Sequence, residues 1–455
     1  MRTITPVLVS LLLCSLALAA DLPRYSLPVG RKLTYSMSSQ SKSTEGADND
    51  MGSTGSWQIT VVHENPDGSR RLILRSGSAF TRNFNGQKHT DPERVSLAFA
   101  DVFPDGRVLP NSSLGMHVDI SNVMPPLPAD EQQLSKGWSK EDARRMQTMR
   151  YTQEKAEGDE FVFRAVQDGV MNKIYVTTST TTYHFDPKRG IITANEGEQS
   201  QDYGFHSKGT GSMKLESDET LPADKVKQVA ADFETFFAAK EQYEAKMSAV
   251  ETDAAHADEL TAAAEALLTK ARDSVTSGDV THELNELIKH HDEYAKYARG
   301  DADRFAAILN KPAPDWETTD IDGHPARLAD YRGKVVVMDF WYRGCGWCMY
   351  AMPQVKQVAE DFSGKAVVVL GMNTDREEKD ARLVIDIMGL KYPTIKAEGI
   401  PQKYGVQGFP TLIVIDQDGI VRKVHVGYSP TLRDDIAKKI KDLLEKPAAT
   451  AKPAA

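Results

Sequence analysis

A pair of cysteines separated by only two residues is the feature that most constrains this chain. The sequence of 455 residues contains three cysteines, namely Cys14, Cys345 and Cys348. Cys14 lies in an N-terminal segment that we expect to be removed, so the mature chain would keep the pair alone. Two cysteines this close together cannot staple a large fold with disulfide bonds. The fold must therefore come from hydrophobic cores, and the pair is expected to serve redox chemistry or to bind a metal.

The N-terminus has the pattern of a secretory signal peptide. Arg2 supplies a positive charge, residues 7–19 are almost wholly apolar, and an Ala-Leu-Ala triplet ends the run. This run is too short to span a bilayer comfortably. We therefore predict a signal peptide at residues 1–19 and an exported protein, either periplasmic or extracellular. Lipid anchoring at Cys14 is the less favoured alternative, because the bulky Leu13 precedes it.

Length and charge limit the number of domains and the kinds of partner. A chain of 455 residues exceeds what one hydrophobic core usually organises, so several domains are expected. The formal net charge of −10 disfavours broad contact with nucleic acid or anionic lipid, because both require a basic surface. We therefore expect no nucleic-acid partner.

Residues 20–221 are predicted to form a β-rich domain. Residues 57–62 alternate between polar and apolar side chains, residues 65–68 (Asn-Pro-Asp-Gly) form a turn, and residues 71–74 resume the strand. Many short strands joined by Gly, Asp and Pro turns predict a β-sandwich or an open barrel. The pattern does not indicate what this domain would bind.

Residues 222–310 are predicted to form an α-helical hairpin or short bundle that acts as a spacer. Pro222 suits the first turn of a helix, and apolar residues then recur at heptad spacing. The heptad positions, interrupted by Lys240, are Val226, Val229, Phe233, Phe236, Tyr243, Met247 and Val250. Antiparallel packing within one chain is favoured over a dimerising coiled coil, because the helices are short and separated by breaks. Oligomerisation through this segment is the alternative.

Residues 311–446 alternate between strand and helix patterns, which predicts an α/β domain. Residues 334–340 read as a buried strand and residues 349–362 as a helix, so the cysteine pair lies where the strand passes into the helix. The remaining residues, 447–455, are rich in Pro and Ala and are predicted to be a disordered tail.

The placement of the pair at the start of a helix favours redox chemistry. Unpaired backbone N–H groups and the positive end of the helix dipole stabilise a thiolate at this position. A thiolate is the nucleophile of disulfide exchange, and a second thiol one turn later can displace the substrate from the first sulfur. We therefore predict that Cys345 attacks a substrate disulfide and that Cys348 resolves the mixed disulfide.

Three features of this region form a recognisable pattern, namely residues 339–348 (Asp-Phe-Trp-Tyr-Arg-Gly-Cys-Gly-Trp-Cys), Pro353, and the loop at residues 404–411 (Tyr-Gly-Val-Gln-Gly-Phe-Pro-Thr). They resemble the thioredoxin-like proteins, and most closely the exported TlpA/ResA type of thiol–disulfide oxidoreductase. The resemblance covers about a third of the chain and implies a thioredoxin-like fold for it.

The resemblance also implies roles for residues near the pair. Asp339 matches a buried carboxylate that relays a proton to or from the resolving thiol, and Trp341 matches the aromatic residue before the cysteines. The peptide bond between Phe409 and Pro410 would be cis and lie against the disulfide, which would turn the Phe409 backbone toward the substrate. The implied partners are disulfide-containing exported proteins and a membrane thiol reductase as electron donor. Apart from the disulfide of Cys345 and Cys348, no cofactor and no metal is expected.

The chain departs from the family pattern at several positions. Gly346 and Trp347, which we include among the supporting site residues, replace the Gly-Pro dipeptide of thioredoxin. Ala351 stands where reductases of the ResA type carry a glutamate. The lysine that accompanies the thioredoxin carboxylate is replaced by Gly371 or Met372. Proton handling is therefore predicted to rest on Asp339 and solvent.

Two other functions are compatible with the sequence. Thiolate and thioether ligands suit cuprous ion, so Cys345, Cys348 and Met349 could form a copper site. Alternatively, the β-rich domain could be the main functional unit, binding a client or a component of the cell envelope. We favour a protein-disulfide reductase, because strand, helix and loop patterns all agree with the motif.

Overall fold

A computed structural model describes residues 22–43, 50–84, 87–109, 120–142, 147–154, 159–171, 175–202, 206–251, 253–429 and 431–445. The predicted signal peptide at 1–19 and the predicted tail at 447–455 lie outside these residues. None of the helices described is long and apolar enough to cross a bilayer.

The N-terminal region forms one antiparallel sheet of eleven strands. The elements are β1 (Arg31–Ser43), β2 (Asp50–Glu64), β3 (Arg70–Phe84), β4 (Gln87–Thr90), β5 (Arg94–Val102), the short helix α1 (Glu131–Lys136), β6 (Trp138–Asp142), β7 (Gln147–Gln153), β8 (Phe161–Met171), β9 (Tyr175–Asp186), β10 (Ile191–Asp202) and β11 (His206–Thr220). Their order is β4-β3-β2-β1-β11-β10-β9-β8-β7-β6, and β5 pairs with β3. The β-rich character predicted for this region is thus confirmed.

The sheet curls around a single hydrophobic core. Side chains alternate in β1, so that Leu33 and Tyr35 face inward and are buried. The same core contains Ile59 from one half of the sheet and Phe163 from the other, and residues 120–127 fill its centre. Strands from both halves share one core, so the architecture is closer to the predicted open barrel than to a sandwich.

Three helices pack on the outer face of this sheet. They are α2 (Ala223–Val250), α3 (Ala257–Ser274) and α4 (Gly278–Ala306). Phe237 of α2 packs edge-to-face on Phe99 of β5, with ring centroids 4.9 Å apart. Arg75 of β3 binds Asp279 of α4 at 2.7 Å. The helices therefore share a core with the sheet, while a spacing or oligomerising role for residues 222–310 stays a prediction.

The C-terminal region contains a mixed five-stranded sheet with helices on its faces. Its elements are β12 (Glu317–Thr319), β13 (Pro325–Arg327), β14 (Val335–Trp341), α5 (Gly346–Asp361), β15 (Val367–Asn373), α6 (Glu378–Met388), β16 (Thr394–Lys396), α7 (Ile400–Lys403), β17 (Thr411–Ile415), β18 (Val421–Val426) and α8 (Leu432–Leu444). The sheet order is β16-β15-β14-β17-β18, with β14, β15 and β16 parallel. All residues of the central strand β14 are buried.

Helix α4 joins the two regions. Its N-terminal part packs with α2, α3 and the barrel, whereas Phe305 near its C-terminus is buried in the core of the C-terminal sheet. Ile308, just after the helix, lies in the same core. A helix of 29 residues is about 43 Å long, so α4 connects two separate cores directly. The C-terminal packing unit thus begins inside α4, ahead of the boundary predicted at residue 311.

We predict that Phe305→Ala destabilises the C-terminal unit by about 3 to 5 kcal/mol, because it leaves a cavity in a core that the linking helix completes. Brief proteolysis in graded urea, with detection of the C-terminal fragment, would measure the midpoint of unfolding. Tyr297→Ala is the matched control, since Tyr297 lies on the same helix and is 67% exposed. Equal midpoints for the two variants would contradict the packing described.

Candidate active site

The cysteine pair lies where the buried strand β14 passes into helix α5. Cys345 is the N-cap of the helix, and its sulfur accepts a hydrogen bond from the backbone N–H of Cys348 at 3.1 Å. The two sulfurs form a disulfide bond of 2.03 Å. Both residues are largely buried, with Cys345 5% and Cys348 1% exposed. Cys345 is therefore the more accessible of the two.

The position of Cys345 favours a negative charge on its sulfur in the reduced protein. The first backbone N–H groups of a helix have no partner within the helix, and the helix dipole adds a partial positive charge there. The N–H of Cys348 already points at the Cys345 sulfur. Nothing within 4 Å would contact a Cβ added at Gly346, so the backbone beside Cys345 is open to an incoming molecule.

Asp339 lies on β14 beneath the helix that carries the cysteines. Val337, two residues before it, packs in a core with α5, and Trp341, two residues after it, packs with both cysteines. Alternate residues of a strand share a face, so Asp339 faces the same side. It is 1% exposed, and neither carboxylate oxygen has a hydrogen-bond partner among the described residues. Burial raises the pKa of Asp339 to about 7.

The loop before β17 closes another side of the site. The peptide bond between Phe409 and Pro410 is cis. The Phe409 side chain packs against the cluster that contains both cysteines, and its ring meets that of Tyr342 edge-to-face at 5.2 Å. The structure therefore brings together Trp341, the cysteine pair and Phe409, and it places Asp339 on the same face of the strand as Trp341.

A partly exposed group of aromatic residues borders the site, and we call Trp347, Tyr350 and Tyr428 the aromatic rim. Trp347 is 61% exposed, and its ring stacks on that of Tyr428 at 5.7 Å. Tyr350 contacts both of the other rings. Trp347 lies within the cysteine motif of the sequence, whereas the two tyrosines lie outside it and were not predicted. Tyr428 follows β18, and no local pattern places it beside a helix so far away in the chain.

A polar network supports the loop that precedes Cys345. The backbone N–H of Arg343 donates to the carboxylate of Asp375 at 3.0 Å, and the Arg343 guanidinium binds Asp380 at 2.6 Å. Asn373 donates to Asp375 at 2.7 Å. These residues were not predicted. Polar residues directly after the buried strand β15 were the available signal, because parallel strands end at the same edge of a sheet.

Copper ligation would need a reduced pair. Met349 is buried in the same cluster as the two cysteines. In the oxidised form each sulfur is bonded to the other, which leaves no thiolate to bind a cation. The copper alternative therefore applies only to the dithiol form and stays a prediction.

The C-terminal part of the chain is similar in sequence to known proteins. A family model described as Redoxin matches residues 309–440. The thiol-disulfide oxidoreductase ResA of Geobacillus thermodenitrificans is 28% identical over 152 residues, which cover 33% of this chain and 86% of ResA. The thioredoxin-like protein YneN of Bacillus subtilis is 32% identical over 118 residues, which cover 25% of this chain and 69% of YneN.

A solved structure is also similar. It is a thiol:disulfide interchange protein of the thioredoxin family from Chlorobium tepidum TLS, with 25% sequence identity and a TM-score of 0.27. The match covers 29% of this chain and 95% of that one. The segment matched by the Redoxin model contains both cysteines, Asp339 and the loop with Pro410. Because YneN is 32% identical with 69% of its length covered, and ResA matches the same region, the C-terminal third of this chain belongs to the thioredoxin-like thiol–disulfide oxidoreductases of the ResA type.

Proposed function

We propose that the protein is an exported thiol–disulfide oxidoreductase that reduces disulfides in other exported proteins. The observation that carries the proposal is the Cys345–Cys348 disulfide at the N-terminus of α5, because this position stabilises an attacking thiolate. The predicted signal peptide supports export. The relatives named thiol-disulfide oxidoreductase support the reaction class.

The reaction starts from the reduced pair. The Cys345 thiolate attacks one sulfur of a client disulfide, the client S–S bond breaks, and the other client sulfur leaves as a thiolate. Cys348 then gives its proton to the Asp339 carboxylate and attacks the Cys345 sulfur, which releases the second client thiolate. Two electrons pass from the cysteine pair to the client. The product is the disulfide that the structure contains.

Repeated turnover requires a source of electrons. An exported compartment is oxidising, so a reductant there must be recharged by another dithiol protein. A membrane thiol reductase is the proposed donor. Its attack would also have to occur on the accessible face of the Cys345–Cys348 disulfide, beside Gly346 and the aromatic rim.

We predict that Cys348→Ser traps a mixed disulfide between Cys345 and a client, because the resolving thiol is missing. Cys345→Ser should trap none, since Cys348 is the less accessible sulfur. Incubation of each reduced variant with a disulfide-containing peptide, followed by mass spectrometry without reductant, would measure the adduct. A higher yield on Cys348 would reverse the assigned roles, equal yields would contradict them, and no trapping by either variant would contradict the proposed function.

Asp339→Asn should slow the resolving step and remove the part of its pH dependence that is centred near pH 7. Because the pKa of Asp339 is raised to about 7, the carboxyl is protonated below this pH and becomes able to accept the Cys348 proton above it. The wild-type rate should therefore rise from about pH 6 to about pH 8, and the variant should be about 10- to 100-fold slower at the upper end. Stopped-flow release of a fluorescent peptide thiol would measure the rate.

The matched control for this experiment is Asp361→Asn. Asp361 ends helix α5 and forms an exposed ion pair with Arg433 at 2.8 Å, so its loss should leave the pH profile unchanged. An Asp339→Asn profile that follows the wild type would show that another group takes the proton.

A cavity in the β-rich region favours a second candidate function, in which this region binds a client or an envelope component. The inner face of the barrel continues beyond its core as a cavity of about 470 Å³. Its lining combines Met37, Trp57 and Met213 with glycine, hydroxyl and amide residues. A concave surface with apolar and polar groups can bind a ligand.

Gly211→Leu tests this second function, since a Cβ at Gly211 meets no atom closer than 3.7 Å and a larger side chain would project into the cavity. When combined with Cys348→Ser, Gly211→Leu should lower the yield of mixed disulfides trapped from exported proteins. Its reaction with glutathione disulfide should be as fast as that of Cys348→Ser alone. Lys214→Leu on the outer, exposed side of the same strand is the control. Equal yields from both variants would exclude recruitment through the cavity.

A further inference from the structure

A group of buried polar side chains beside Asp339 takes no part in the reaction described so far. Trp341 Nε1, Tyr392 OH and Thr394 Oγ1 have no hydrogen-bond partner among the residues that the structure describes, and neither do the two Asp339 oxygens. Buried polar atoms are almost always paired, because an unpaired one loses its hydration without compensation. Five such atoms near one another indicate a specific polar site.

The strand register places these groups together. Asp339 of β14 is paired with Gly371 of β15, and Gly371 is paired with Thr394 of β16. Paired residues on parallel neighbouring strands project from the same face of the sheet. Gly371 has no side chain, so a gap separates Asp339 from Thr394 on the face that α5 covers. Trp341, two residues after Asp339, projects from this face as well.

The side chains around Gly371 converge on this gap. A Cβ at Gly371 would lie 3.0 Å from Trp341 Nε1, 3.2 Å from Thr394 Oγ1 and 3.3 Å from the Tyr392 ring. Tyr392 packs against the core beneath α5 and α8 and also against the cluster of the cysteines. A side chain at position 371 would occupy the space that these polar groups border and would crowd them.

The chemical character of the group fits a carboxylate. The indole N–H is a donor only, both hydroxyls can donate, and an ionised carboxylate only accepts. Burial is the one cause of the raised pKa of Asp339, so no described cation acts on this carboxyl. Burial raises the pKa of the Tyr392 phenol, and the nearby charge of Asp339 adds to this rise.

We propose that Tyr392 and Thr394 are positioning residues for Asp339, acting through a water molecule bound beside Gly371 that hydrogen-bonds the carboxylate. A buried water of this kind typically makes two to four hydrogen bonds to polar groups that otherwise lack partners, which matches the set around Gly371. Donors that favour the ionised carboxylate lower the pKa of Asp339, so more of it is ionised near neutral pH and ready to accept the Cys348 proton. The effect on proton transfer from Cys348 rests on the proposed function, whereas the hydrogen bonding of Asp339 through the water does not.

The test is an infrared titration of the oxidised full-length protein. The carboxyl C=O stretch of Asp339 is assigned by its loss in Asp339→Asn, and its midpoint is followed against pH. Tyr392→Phe removes one donor from the ionised form, so the midpoint should rise by about one pH unit and the band should move to higher frequency. Thr394→Val should shift the midpoint in the same direction. Tyr331→Phe is the matched control, since Tyr331 packs on the opposite face of the sheet.

An upward shift in Tyr392→Phe, with Tyr331→Phe at the wild-type value, supports the proposal. An unchanged midpoint and band frequency in Tyr392→Phe overturns it, and Thr394→Val decides in the same way if Tyr392→Phe does not fold. The titration requires no turnover. Absence of disulfide reduction by the wild-type protein would therefore contradict the proposed function, while the titration still decides the role of Tyr392.

Discussion

The site depends on one packing constraint, which is that a fully buried central strand ends just before the helix that carries the cysteines. Every residue of β14 is buried, with a hydrophobic core on each face of the sheet. This burial stabilises the position of the strand within the domain. Four residues separate Trp341, the last residue of β14, from Gly346, the first of α5, so Cys345 is held at the N-terminus of the helix. The backbone N–H groups that favour its thiolate are thus a consequence of hydrophobic burial one turn earlier.

The same burial gives Asp339 its chemical character. A carboxyl group under a helix, without a described hydrogen-bond partner, destabilises the folded chain when it is ionised. That cost moves its pKa to about 7, where one group can both accept and return a proton near neutral pH. Burial of Asp339 therefore both destabilises the ionised folded protein and gives the carboxyl a pKa suited to proton transfer. Strongly shifted pKa values of this kind are common at functional sites. The polar groups around Gly371 moderate this effect without adding a charge.

Helix α4 makes the redox site and the barrel parts of one connected structure. Its N-terminal part is held by the sheet through Asp279, and its N-terminus is capped by Asp232 of α2, which accepts from the backbone N–H of Ser277 at 2.7 Å. Its C-terminal part supplies Phe305 to the core beneath β14. Packing at both ends of α4 therefore links the barrel to the domain that carries the cysteines.

Local patterns in the sequence were sufficient for the cysteine pair, the strand and helix around it, the β-rich region and the heptad positions of α2. Each of these depends on residues within about two turns or one hairpin, and periodicity reports them directly. The sequence could not choose between sandwich and barrel, nor show that Phe305 belongs to the C-terminal core. It also could not place Tyr428 beside Trp347, or Thr394 beside Gly371 and Asp339. These contacts are set by strand register and by the packing of helices on the sheet, which involve segments far apart in the chain. Local periodicity in the sequence does not report them.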